Sequence, residues 1–386
     1  MAVTGMTTSN SVTTGQRWVL QFCHGYDGPF LDCARQYAAL FSGTPYKVCT
    51  VYLTGAPSAE VEQGSASDEV IFLNYRSKDV SGLKLKAIRD IRRIAAARDF
   101  ALCIAHRFKP IYVALLGTSL PVVGVHHAFG VYSRLSRRLF INRFRQRLLL
   151  LGVSNAVRDE MRRDLRGWPQ DRIETLYNRI DIATVQAEQV SREEARAHLG
   201  LPQDAWVVGN VGRLHPDKDQ STLIRGFANA LPQLPAGSLL AIMGSGRLEG
   251  TLKALAEKLG LSGSVRFLGQ VAHGRRYFKA FDVFALSSDH EPFGMVLLEA
   301  MAAGVPLIAT DCGGGREVVS STGQLFPLGD ASALANALQH PVSDRNLLAL
   351  QQRMLKKLES EFSDQAIRRQ FWSLPPLITL RSADVR

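Results

Sequence analysis

The chain has 386 residues, 46% of them hydrophobic, which is too long for one ordinary core and enough for two well-packed domains. Its net charge of +11 is concentrated in residues 1–190, where 25 Lys and Arg stand against 16 Asp and Glu. The longest apolar run, around Leu148 to Val153, falls far short of the roughly 20 residues that a membrane-spanning helix needs, so no transmembrane anchor is expected.

Taken from the start, MAVTGMTTSNSVTTGQ is small and polar, with neither a basic start nor an apolar stretch for export. A disordered segment over 1–15 and a cytoplasmic protein are expected. Short runs rich in Val, Ile and Leu follow, at Trp18–Phe22, Tyr46–Leu53, Ala101–Ala105 and Val122–Val125. Their alternation with longer charged segments predicts buried parallel strands joined by helices, a Rossmann-like domain over 16–185. Between Asp99 and Asp159 there is no acidic residue, while Arg107, Lys109, Arg134, Arg137, Arg138, Arg143, Arg145, Arg147 and Arg158 all lie there. Such a field attracts a polyanion or an anionic membrane face, and it is equally the signature of a solvated basic helix.

The polar segment 186–204 ends in Gly200-Leu201-Pro202, a helix stop and a breaker, and is expected to be a hinge. The strand pattern then restarts at Val207–Val211, Leu239–Met243, Val265–Phe267, Val283–Leu286 and Pro306–Ala309, predicting a second Rossmann-like domain over 205–360. The expected fold class is therefore α/β, two doubly wound parallel sheets facing a cleft. Residues 361–386 carry Phe362, Phe371, Trp372 and Leu374, too apolar for a free tail, and are expected to pack back on the first domain. Cys23, Cys33, Cys49, Cys103 and Cys312 are odd in number and scattered among apolar neighbours, so they read as reduced thiols without disulfides or a metal cage.

Two motifs carry chemistry. In SSDHEPFGMVLLEAMAAGVPLIA, residues 287–309, Glu291 precedes a helix expected to start near Phe293, and Glu299 lies eight positions later, about two turns on and on the same side. Both carboxylates can face one polyhydroxy ligand, with the backbone N–H groups of Phe293, Gly294 and Met295 at the helix start. An ordinary amphipathic helix with one N-terminal acid gives the same pattern. In GNVGRLHPDKD, residues 209–219, the strand-end turn at Gly212 carries Arg213, and Lys218 follows near the next helix. Two cations and a helix start make a diphosphate cradle without a metal, although a surface Arg–Asp pair and a solvated Lys would look alike. A further strand runs into Gly244 in MGSG.

These residues resemble the glycosyltransferases of the GT-B fold, specifically the retaining family 4, whose hallmark is Glu-x7-Glu. The likeness runs through most of 205–340: GNVGRL with its Lys, MGSG, VRFLG, FDVFALSSDHEPFGMVLLEAMAAGVPLIAT and GGGREVV. In the first half it is fainter, through LGVSNAVRDEM, LYNRID and a strand-end His. The resemblance implies that Arg213 and Lys218 bind the donor diphosphate, Glu291 the sugar and Glu299 the ribose. It further implies that Phe293, Gly294 and Met295 bind through N–H groups, and that Phe267 and Leu268 line the base pocket, where a plain core strand would read the same. His127 matches a histidine near the transferred sugar, with His126 as the competing neighbour and Gly28 and His106 also on the acceptor side. Two departures stand out. The first turn, HGYDGP, keeps one glycine, Gly28, at the expected point, and Arg179 replaces the glycine of an Asn-Gly-Val-Asp turn.

The implied activity is transfer of a sugar with retention from a nucleotide sugar, UDP- or GDP-linked, to a hydroxyl of a glycan or an anionic glycolipid such as a lipopolysaccharide core. No divalent metal or cofactor is expected, nor a nucleic-acid partner, since the arginines lack interleaved aromatics. Peripheral contact with the inner membrane face would run through the basic half. The competing readings are a same-fold nucleotide-sugar epimerase or hydrolase and a non-enzymatic protein that binds anions. A nicotinamide-dependent dehydrogenase lacks its glycine fingerprint here.

Overall fold

The computed structural model describes residues 15–341 and 344–378. Residues 1–14 of the expected disordered segment and 379–386 of the expected C-terminal segment lie outside them. Seven strands form the first sheet: β1 (Arg17–Cys23), β2 (Tyr46–Thr54), β3 (Glu69–Tyr75), β4 (Phe100–His106), β5 (Val122–His126), β6 (Leu148–Gly152) and β7 (Ile173–Thr175), in the order β3-β2-β1-β4-β5-β6-β7. Six form the second: β8 (Val207–Val211), β9 (Leu239–Met243), β10 (Val265–Gly269), β11 (Val283–Leu286), β12 (Leu307–Thr310) and β13 (Gly323–Phe326), in the order β10-β9-β8-β11-β12-β13. Pairing is parallel, as in β1 with β2 and β4 and in β8 with β9 and β11. In both sheets the earliest strand lies inside and the order reverses beside it, which is the doubly wound pattern that puts ligand sites at the strands' carboxyl ends.

The chain divides into two compact units. Residues up to Gly124 with Gln146–Leu148 form one, and Val125–Arg145 with Leu149 onward form the other. In the first, Val19, Leu20, Phe22, Val51, Leu53, Leu102 and Ile104 are wholly buried. In the second, Val208, Leu240, Ile242 and Ala285 from the sheet meet Leu223, Ile224 and Phe227 of the helix Gln220–Ala230, and Leu334 and Leu338 of the helix Ala331–Gln339.

Residues 186–204, expected as a hinge, hold the helix Arg192–Leu199, built on the second sheet by a buried cation. Arg196 is wholly buried and bonds Asp282 at 2.9 Å and the Ala280 carbonyl at 3.1 Å. Asp282 also takes Arg192 at 2.6 Å and the Val207 N–H at 2.7 Å. Arg179 is not among the residues of positive φ, so its turn needs no glycine; its buried side chain pairs with Asp364. Near that pair the Ile180 N–H donates to the Phe362 carbonyl at 2.9 Å and Gln370 to the Thr175 carbonyl at 3.0 Å. All five cysteines are free, and burial pushes the Cys33 and Cys49 thiols up to about 12.

Candidate active site

The two glycine turns at the carboxyl ends of β8 and β9 lie against each other. Gly212 donates its N–H to the Met243 carbonyl and Leu214 to the Ser245 carbonyl, both at 3.0 Å, and Gly244 donates to the Gly269 carbonyl at 2.7 Å. Gly244 has φ +142°, and a Cβ there would sit 2.0 Å from the Gly212 carbonyl oxygen, so no other residue fits. Above these turns lies a cavity of about 460 Å³ lined by Gly212, Arg213, Gly244, Ser245, His273 and Glu299, among others. It gathers a cation, a carboxylate and close-approaching backbone in one place, which suits an anionic, hydroxyl-bearing ligand.

Lys218 and Glu291 form the second part. Lys218 ends a short turn, Pro216–Lys218, and Asp219 caps the helix Gln220–Ala230, accepting from the Thr222 N–H at 3.3 Å. The Lys218 ammonium donates to Glu291 Oε2 at 2.7 Å, with 17% and 10% of the two side chains exposed, so the pair is largely removed from water. Ser288 donates to the same oxygen at 3.2 Å. Lys218 also borders the cavity turn, since a Cβ on Gly212 would lie 3.9 Å from its Cγ and Cδ. Arg213 is different in kind: its side chain is 70% exposed and reaches Asp217 at 3.2 Å, an ion pair that solvent keeps weak.

The helix beyond Glu291 starts two residues later than expected, at Met295, because Gly294 holds φ +94° and so stands outside the helix. The Phe293 N–H is not open to a ligand either: it donates to Glu291 Oε1 at 3.4 Å, leaving Gly294 and Met295 at the helix start. The triple glycine at 313–315 explains itself here. Cβ atoms on Gly313 and Gly314 would lie 2.3 Å from the carbonyl oxygens of Glu291 and Pro292, and the Gly314 N–H donates to the Glu291 carbonyl at 2.8 Å. The chain presses flat against the Glu291 loop and fixes it from behind.

Of the two strand-end histidines, His126 closes β5 inside the core, 1% exposed, with Nε2 2.9 Å from the Tyr132 hydroxyl. Burial first, then the neighbouring His127 and Arg137, pushes it down to about 3, so it stays neutral. His127 comes after the strand and is half-buried, on the loop whose Phe129 ring approaches Gly313 to 3.5 Å from where a Cβ would stand. His127 is thereby on the loop beside the Glu291 backing.

Other expectations are not gathered here. Phe267 packs against the apolar core of the second sheet, under Lys253, and Leu268 is its half-buried neighbour on β10; neither lines the cavity. His106 is a core residue, 2% exposed with its ring edge-on to Tyr37 at 4.7 Å, because it ends a strand that is buried along its whole length. Gly28 stands in an exposed turn with φ +60° and open space around it. One carboxylate was missed. Glu317 of GGGREVV accepts from the N–H groups of Asn155 at 2.9 Å and Ala156 at 2.8 Å and from the Tyr177 hydroxyl at 2.9 Å, capping the helix Asn155–Asp164. Nothing local in the sequence links residues that far apart.

A model of the glycosyl transferases group 1 matches residues 191–359 and one of glycosyltransferase family 4 matches residues 34–184. The two glycosyltransferase models thus cover the first and the second half of the chain in turn, and its two parallel sheets have the GT-B fold. Over 175 residues it is 38% identical to the lipopolysaccharide core biosynthesis glycosyltransferase LpsE of Rhizobium meliloti, covering 45% of this chain and 50% of that protein. Over 187 residues it is 37% identical to the D-inositol 3-phosphate glycosyltransferase of Rhodococcus opacus, covering 45% and 42%. The chain thus spans about half the length of the curated relatives it matches. Among solved structures, Anabaena HepE in complex with UDP and glucose superposes with a TM-score of 0.73 at 23% identity, over 91% of this chain and 97% of that one. The lipopolysaccharide outer core galactosyltransferase WaaB does so with 0.68 at 17% identity, over 92% and 98%. At such identities the likeness shows the fold.

Proposed function

We propose that the protein transfers a sugar, with retention of configuration, from a UDP- or GDP-sugar to a hydroxyl of a glycan or anionic glycolipid, a lipopolysaccharide core being the favoured acceptor. The observation that carries this reading is the Lys218–Glu291 pair beside a glycine-lined cavity that also holds Arg213 and Glu299. Without donor, the Lys218 cation compensates a carboxylate that is costly to leave alone out of water. A donor diphosphate at Lys218 and Arg213 would take over that cation and release Glu291 to accept from sugar hydroxyls, while Glu299 accepts from the ribose. The acceptor oxygen then bonds the anomeric carbon on the face the diphosphate leaves. The C–O electron pair goes with the diphosphate, and the acceptor's proton passes to a departing phosphate oxygen. Glu291 positions the sugar in this scheme, so no covalent glycosyl-enzyme is needed. Charge developing on the leaving group is met by Arg213 and Lys218, which makes the reaction independent of divalent metal.

One relative is named for a lipopolysaccharide core and another for D-inositol 3-phosphate, which supports a glycan or phosphate-bearing acceptor. Among the described residues no helix is long and apolar enough to cross a membrane. We place the protein in the cytoplasm, touching the anionic inner membrane face through the helix Leu135–Asn142, where Leu135 and Leu139 are 66% and 63% exposed one turn apart. Arg134, Arg143 and Arg145 flank them. Co-sedimentation with phosphatidylglycerol vesicles should fall in Leu135→Gln/Leu139→Gln, and equal binding would refute this surface.

Turnover, read as nucleoside diphosphate release with product anomers assigned by NMR, tests the chemistry. Arg213→Ala and Lys218→Ala should each lose about two to three powers of ten, as removal of a preorganised oxyanion donor does. Activity should survive a chelator. Unchanged turnover in Lys218→Ala, an inverted product, or loss of activity on chelation would each overturn its part.

A further inference from the structure

A second cationic cluster lies in the other unit, at the carboxyl ends of β1 and β4, and none of the donor chemistry above uses it. Register pairs Phe22 of β1 with Ala105 of β4, so His24 and Arg107, each two residues further on, leave the sheet side by side. Arg107 opens the helix Phe108–Gly117 with φ +73° and ψ +163°, a conformation that is essentially glycine's alone. A non-glycine residue held there marks a position the surrounding structure imposes. Its guanidinium lies 4.7 Å from the centre of the Phe30 ring, at the start of the helix that follows β1.

Lys109 follows in the first turn of the same helix. Lys84, also of positive φ, lays its ammonium 4.7 Å from the ring centre of Tyr112, one turn on from Lys109, and donates to the Gly82 carbonyl at 2.6 Å. Burial, followed by Arg107 and Lys109, pushes His24 down to about 4, with Asp27 opposing; burial and Lys109 push Lys84 down. These cations therefore act on one small region. Among the described residues, Lys84, Arg107 and Lys109 make no ion pair, and His24 Nδ1 is buried without a hydrogen-bond partner. Three cations without an ion-pair partner, beside a neutral histidine at a helix start and with Asp27 as the nearby carboxylate, are what an anion would need. Leu83 and Leu85, 68% and 69% exposed, flank Lys84.

We propose that Lys84, Arg107 and Lys109, with His24 beside them, form a phosphate-binding subsite, and that the acceptor carries a phosphate there. The assignment of that phosphate to the acceptor rests on the transferase reading; the subsite does not. The same chemistry is offered by a soluble sugar phosphate and by a phosphorylated lipid, for which the two leucines would supply apolar contact.

The test is calorimetric titration of the full chain with glycerol 3-phosphate after saturation with UDP, so that the probe cannot report the donor cavity. Vesicles of phosphatidylglycerol in phosphatidylcholine form a parallel arm, run in the Leu135→Gln/Leu139→Gln background so that the helix Leu135–Asn142 does not supply the binding. Arg107→Gly removes the cation while giving the backbone the residue it favours, so it should fold at least as stably; Lys109→Gln is the second variant. The expected result is at least tenfold weaker glycerol 3-phosphate or vesicle binding in each variant, with UDP affinity unchanged. Loss in the soluble arm points to a sugar phosphate, and loss in the vesicle arm alone to a lipid. Wild-type-like binding in both variants, or no binding of either probe while UDP binds normally, would overturn the subsite. GDP takes the place of UDP throughout if it alone binds, and failure of both to bind would count against the donor reading instead.

Discussion

His126 and Arg107 show how single residues at strand ends separate packing from chemistry. His126 follows its strand inward, and burial holds it down to about 3 against an ordinary 6.5. Below pH 6.5 the unfolded chain therefore takes up a proton that the folded chain refuses. The stability from keeping His126 neutral is full above pH 6.5 and is lost as pH falls towards 3. One such group changes stability by about 1.4 kcal/mol per pH unit, or about 2 kcal/mol between pH 6.5 and 5. Urea unfolding at pH 7.5 and at pH 5 should show that His126→Gln loses less stability on acidification than the wild type by roughly this amount. An identical loss in both would mean that His126 is not held neutral by its surroundings. His24, also pushed down, is present in both proteins and cancels from the comparison.

At the scale of elements, most strands were legible, the edge strand β10 among them. Val207–Val211, Leu239–Met243 and Val283–Leu286 coincide with β8, β9 and β11, because strands covered on both faces read as unbroken apolar runs. β3, β6, β7 and β13 were not read as strands: β6 stood out only as an apolar run, β3 is mostly half-buried, and β7 and β13 span three and four residues. The expected hinge looked polar because Arg192 and Arg196 point at Asp282, a partner that only the fold supplies. The Glu291 and Glu299 spacing and the Lys218 position were readable from their own segment. The Gly313–Gly315 backing, the Glu317 cap and the inward turn of His106 depend on contacts distant in sequence. Arg196 gives the sharpest check on this scale. Removing one partner of a buried pair typically costs about 3–5 kcal/mol, since the other charge is left uncompensated. Arg196→Met should lose stability on this order in denaturant unfolding, and a loss under about 1 kcal/mol would show that the Arg192 pair alone satisfies Asp282.

For the whole molecule, two parallel sheets each present glycine turns and helix starts at their carboxyl ends, and each collects cations there. In the unit from Leu149 onward these are Arg213 and Lys218, set against two carboxylates; in the other they are Arg107 and Lys109, with Asp27 on the neighbouring turn. A site with carboxylates paired to its cations suits a sugar nucleotide with hydroxyls to bind, and one in which cations outnumber carboxylates suits a bare phosphate. The division of labour that follows, donor on one and a phosphorylated acceptor on the other, is the account as a whole. It depends first on the donor. Saturation-transfer NMR with a panel of nucleoside diphosphates and their sugars, on wild type and on Glu299→Ala, measures this directly. One nucleotide sugar should bind selectively and Glu299→Ala should weaken it; no binding to any member of the panel, or binding indifferent to Glu299, would rule out the donor site described above.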